Sequence, residues 1–157
     1  MLPRNELLAY AAGLFDGEGC CGVYTEGHKH CAIRMHVTMC TPRGPSLFAE
    51  LFGGHVKAAT WRRKKPAGGY YEATYYLPVY IWSVTADNAA NALRELLPWL
   101  REKRAQAELV IEAREIQRGR KGQGVGIGRG HGSPYTEAEL TRLGEIRAEV
   151  KALKRVS

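Results

Sequence analysis

Cysteine is scarce in this chain, with only Cys20, Cys21, Cys31 and Cys40. Adjacent Cys20 and Cys21 would face opposite sides of a strand, a poor start for a shared disulfide or zinc site. The spacing CC-x9-C-x8-C fits no zinc pattern, so the thiols read as reduced side chains filling strand positions. Long apolar runs are absent: none reaches the ~18 residues of a membrane span. The opening MLPRNELLAY holds Glu6 and lacks a basic region followed by an apolar stretch. No secretory signal is therefore expected, and the sequence reads as intracellular, cytoplasmic or nucleoid-associated, with an organelle left open. No internal repeat is visible. Acid is the scarcer charge, 16 Asp and Glu against 23 Lys and Arg, for a net +7. A basic surplus points to nucleic acid or another anionic surface.

What is present suits one globular domain: 157 residues, 45% hydrophobic and 25% charged. Asn5 is a candidate cap for a helix through ELLAYAAGLFD. On it Leu7, Leu8, Ala11, Ala12, Leu14 and Phe15 form a broad apolar face, with Gly17 and Gly19 as stops. Strands follow over 20–26 and 30–41. In the second, Cys31, Ile33, Met35 and Val37 alternate with Ala32, Arg34, His36 and Thr38, apolar in and polar out. Pro42 opens a short helix through SLFAELF, which Gly53 and Gly54 end. Val56 to Arg63 reads as a third strand, 64–69 as a turn, and 70–84 as β-favouring with an interruption or edge at Pro78. Thr85 is placed to cap a helix to Leu97. Pro98 breaks it, and another runs from about Trp99 to Gln117. Thr136 and Glu139 form a capping-box pair opening a last helix striped by Leu140, Leu143, Ile146, Val150 and Leu153. The order implies an α+β domain: a four-stranded antiparallel sheet with helices on one face and polar, basic side chains on the other.

Residues 11–19, AAGLFDGEG, place three glycines and two acids at the end of the first helix. Gly13 in mid-helix costs about 1 kcal/mol relative to Ala, which makes sense where a second helix backbone must approach. This segment resembles the LAGLIDADG motif of the homing endonucleases in its AGLFDGEG form, and the similarity extends to about residue 117. The resemblance implies an αββαββα domain at 1–117. It is followed by a glycine-rich basic arm at 118–135 and a C-terminal helix at 136–157 packing on the core. One motif per chain implies a single-motif, homodimeric member. Ala12, Gly13 and Asp16 would lie at the helix-pair interface, with Asp16 structural in character. Glu18 would be the catalytic acid, binding Mg²⁺ (or Mn²⁺) together with the Gly17 backbone carbonyl. A single carboxylate fills one or two of about six positions around such a cation, so two copies are needed. By position Lys103, in LLPWLREKRAQAEL, matches the family's active-site lysine, and Arg43 the basic residue near the scissile phosphate. Met39 stands near a position where the family often has glutamine, which puts the water network in question but not the metal site.

A β-ribbon fits the DNA major groove. Alternation sends Tyr24, Glu26, His28, His30, Arg34 and His36 of the first hairpin toward it, with Lys57, Trp61 and Arg63 of the third strand. Arg62 would point inward, so a bulge or strand end is expected near it. The arm, with Arg118, Arg120, Lys121 and Arg129, follows a helix rather than a strand, which argues against a nucleotide-binding loop. Tracking DNA phosphates and a plain linker are equally open for it. The expected function is a metal-dependent, site-specific DNA endonuclease making a double-strand break with short 3′ overhangs in a long pseudo-palindromic duplex. The alternatives are an RNA-splicing maturase or a non-catalytic DNA-binding regulator on the same fold.

Overall fold

A computed structural model describes residues 2–26, 30–59, 78–119 and 135–155. For 25–31 only the backbone of the strand residues is described. The elements run α1 (Arg4–Glu18), β1 (Gly19–Glu26), β2 (His30–Met39), α2 (Arg43–Phe52), β3 (Val56–Ala59), β4 (Val79–Thr85), α3 (Ala86–Leu96), α4 (Arg104–Arg118) and α5 (Glu137–Leu153). All strand pairs are antiparallel, in the order β1-β2-β4-β3. The fold is therefore α+β, as the alternation implies. No helix among the described residues is long and apolar enough to cross a membrane.

The strands bury one face. Cys21 and Val23, Ile33, Met35 and Val37, and Trp82 and Val84 all lie in the core beneath the helices. Trp82 is the largest of them. Its ring packs 5.1 Å from Phe48 and 6.1 Å from Phe52, and its indole N–H donates to the Gly53 carbonyl at 2.8 Å. Gly53 and Gly54 have φ of 75° and 85°, the left-handed region open to glycine, so the chain leaves α2 and turns directly into β3 beside that indole.

Helix α1 begins at Arg4 rather than after an Asn5 cap. The Pro3 carbonyl takes the N–H groups of Glu6 and Leu7, and the restricted φ of proline favours a helix start there. It also runs through Gly17 to Glu18, with Gly19 as its C-cap. Thr85 occupies the N-cap of α3 without a side-chain capping bond. The Thr136–Glu139 capping box forms in full. In α5, Leu143, Ile146 and Val150 are buried, Leu153 is partly so, and Leu140 is exposed. Arg142 ties α5 to α4, donating to Glu112 at 2.7 and 2.9 Å while also reaching Glu145 and Glu149. Arg114 of α4 is 6% exposed and grips Asp87 of α3 at 3.0 and 2.8 Å.

Candidate active site and nucleic-acid interface

Helix α1 separates into two sides. Leu8, Ala11, Ala12 and Phe15 are buried in the chain's own core, whereas Tyr10, Gly13, Gly17 and Glu18 are exposed. A Cβ added at Gly13 or Gly17 would meet nothing within 4 Å. The expectation that Ala12 lies at an interface is corrected: its side chain is fully covered within the protomer, because it shares the Leu8–Phe15 face of the helix. Glu18 ends the helix, one residue before β1, with its side chain toward solvent.

Asp16 faces a loop. Its carboxylate accepts the backbone N–H of Arg101 at 2.8 Å and of Lys103 at 2.9 Å. This is why α4 starts at Arg104 rather than near Trp99. A distant carboxylate takes the amides of residues 101 and 103, and that holds 98–103 as a loop. The Lys103 ammonium in turn donates to the Asp16 carbonyl in the last turn of α1. The Lys103 ammonium is thereby held at the carbonyl of Asp16, two residues before Glu18 in the chain. Arg43 is exposed at the first position of α2, past the end of β2. The β1–β2 register pairs Gly19 with Val37, so Glu18, the end of β2 and the start of α2 share one end of the sheet. A Cβ at Gly44 would lie 2.2 Å from the Met39 sulfur and 3.7 Å from Leu14, so α2 begins close against α1.

The register also fixes the open face of the sheet. Cys20 pairs with His36 and His36 with Ser83, while Gly22 pairs with Arg34 and Arg34 with Thr85. Tyr24 pairs with Ala32, Thr38 with Ile81, and Ile81 with Lys57. Tyr24, Arg34, His36 and Lys57 thus share the face opposite the core, as the alternation implies. No acidic strand residue with a described side chain lies there. The Arg34 guanidinium lies over the Tyr24 ring, 5.6 Å from its centre. Glu26 and His30 have described backbones only, and His28, Trp61, Arg63 and the arm residues Arg120, Lys121 and Arg129 lie outside the described residues, as do 60–77.

Burial, with lesser contributions from Lys154 and Arg34, pulls the His36 pKa below its ordinary value. Its Nδ1 is buried with no hydrogen-bond partner. On the opposite face, burial first and Cys20 second push the Cys21 thiol up to about 12, leaving it an inert core group. Sequence reading missed Cys20, Ser83 and Thr85 as members of the open face, though strict alternation contains them. It also missed Lys154, which no local pattern could place there.

This arrangement has clear structural counterparts. Homing endonuclease I-CvuI, in complex with its Sro1.3 target in the presence of Ca, superposes with a TM-score of 0.63 over 95% of this chain and 82% of its own, at 19% identity. The fold is that of the LAGLIDADG homing endonucleases. The archaeal intron-encoded homing endonuclease I-Vdi141I, complexed with DNA, gives a TM-score of 0.63 over 96% of this chain and 86% of its own, at 14% identity. No protein-family model and no curated protein matches the sequence. In the LAGLIDADG frame, the motif helix is α1 and its terminal acid is Glu18. The four-stranded sheet turns its basic, uncovered side outward.

Proposed function

We propose that this chain is one half of a metal-dependent, site-specific DNA endonuclease, acting as a symmetric homodimer on a long pseudo-palindromic duplex. The observation that carries this reading is the joint placement of Glu18 and Lys103: an outward carboxylate at the end of α1, and an ammonium latched to the same helix end. The strip at Gly13 and Gly17 leaves room for a second helix backbone. Two copies related by a two-fold axis bring two Glu18 carboxylates together.

The donor set agrees with a divalent metal only in that assembly. Glu18 and the Gly17 carbonyl, one of the last-turn carbonyls with no intrahelical partner, are oxygen donors of the kind a hard cation takes. Among the described residues no cluster of three or more His, Cys, Asp or Glu exists, so the second copy and DNA phosphates complete the shell. Mg²⁺, or Mn²⁺ in its place, supplies an activated water and stabilises the leaving oxygen when bound. Glu18 anchors that chemistry at the helix junction. Lys103 holds positive charge where the phosphate gains negative charge, already oriented by Asp16. Arg43 adds a second cation at the same end of the sheet. Tyr24, Arg34, His36 and Lys57 face the major groove, where arginine and lysine pair with guanine.

The test is cleavage of a plasmid library carrying randomised sites, in Mg²⁺, with cut ends sequenced. The wild type should produce double-strand breaks with short 3′ overhangs. Glu18→Gln should cut slower by several orders of magnitude while still binding. Near wild-type cutting by Glu18→Gln overturns the assignment. Gly13→Leu should abolish both dimer and cutting, and light scattering that shows an active wild-type monomer would remove the two-copy requirement.

A further inference from the structure

Strand β1 is an edge of the sheet, and α5 packs alongside it as well as on α4. Leu143, Ile146 and Val150 dock that helix, and just past its last residue, Leu153, the chain delivers Lys154 to the open face. There the ammonium donates to the Cys20 sulfur at 3.1 Å and lies 5.5 Å from the centre of the Tyr24 ring. Gly22, between Cys20 and Tyr24 on the same side of β1, provides the room: a Cβ on it would stand 2.9 Å from the Lys154 nitrogen. Burial alone would lower the pKa of Lys154. Cys20 and Tyr24 outweigh it and hold the pKa above its ordinary value, so the group is a cation at neutral pH.

We infer that Lys154 is a phosphate-contacting residue of the DNA interface, carried there by the C-terminal helix rather than by the sheet. The inference rests on the endonuclease reading for its ligand. A half-buried ammonium needs little further ordering to meet a phosphate, since its contacts with Cys20 and Tyr24 already restrict its stem. Its position at the sheet edge favours the sugar–phosphate strand over a base edge. Lysine also meets phosphate as a point charge and reads no sequence.

The experiment measures binding of a pool of labelled random-sequence duplexes across a salt series, for the wild type, Lys154→Met, Lys154→Arg and Arg34→Ala, with sites also selected from the pool. Lys154→Met should weaken binding roughly 3- to 10-fold for all sequences and flatten the log–log salt slope by about one per chain, with selected sites unchanged. Lys154→Arg should restore the slope. A lysine that only braces α5 would shift the melting temperature of Lys154→Met and leave the salt slope alone, and that result overturns the inference. If the wild type binds and Arg34→Ala alters the selected sites while Lys154→Met matches wild type, this inference falls and the endonuclease reading stands. If the wild type ignores the pool, both fall.

Discussion

The two faces of the sheet are made from the same strands and do opposite work. On the covered face, Trp82, Phe48, Met35 and Val37 are fully buried, and the sole polar atom of Trp82 is matched by the Gly53 carbonyl. On the open face, Arg34 stays exposed, His36 keeps a buried Nδ1 without a partner, and Lys154 reaches in from another element. The first arrangement satisfies its polar groups and gains from burial. The second gathers positive charge, with the Arg34 and Lys154 cations both lying near the Tyr24 ring. On the proposed function, stability and recognition would sit on alternate residues, and substitutions should separate them.

The largest effect is expected on the covered face. Trp82→Ala should cost about 3–5 kcal/mol, by loss of burial and a remaining cavity. Urea denaturation reads it directly, and a cost below about 1 kcal/mol would mean that the Phe48–Phe52–Trp82 cluster is not central. Next comes the helical layer behind it. Asp87→Ala strips the buried Arg114 guanidinium of its carboxylate, leaving it the Gln117 side-chain oxygen, and should cost on the order of 2 kcal/mol, less than in a fully buried pair because Asp87 is 40% exposed. The open face should behave differently. Arg34→Ala should leave stability within about 0.5 kcal/mol of wild type but relax preference at one or two base pairs per half-site, worth about 1–3 kcal/mol of discrimination. Site selection that returns the wild-type preference would detach Arg34 from recognition.

The smallest effect concerns pH. His36 has a folded pKa below its ordinary 6.5, so the unfolded chain takes the proton more readily. The stability from keeping His36 neutral is therefore whole above 6.5 and drains away as pH falls from there through the folded value. His36→Gln should flatten the decline in melting temperature between pH 8 and 5. Parallel curves for variant and wild type would show that His36 contributes nothing to it.

Local chemistry made much of this legible. The alternation at Ile33, Met35 and Val37 sorted the two faces, the capping pair at Thr136 and Glu139 located α5, and AGLFDGEG marked the helix that ends in Glu18. What escaped was long-range. Asp16 takes two amides 85 and 87 residues away, which delays α4 to Arg104. Lys154 meets Cys20 across 134 residues. Ala12 is turned inward because the apolar face of α1 wraps farther round than a contact strip along Ala12 and Gly13 allows. Helix α1 starts one residue before Asn5 because a proline carbonyl, which carries no side-chain signature of a cap, receives the first amides.

The three-point attachment at Asp16 has a mechanical consequence. The two carboxylate oxygens of Asp16 take the backbone N–H groups of Arg101 and Lys103, and its main-chain carbonyl takes the Lys103 ammonium. The end of α1 and the lysine loop therefore travel as one rigid body. If a partner helix tilts α1 by a few degrees, Lys103 tilts with it. The separation between acid and cation is thus calibrated inside each chain, and in the proposed dimer assembly would set only the spacing from one such unit to the other.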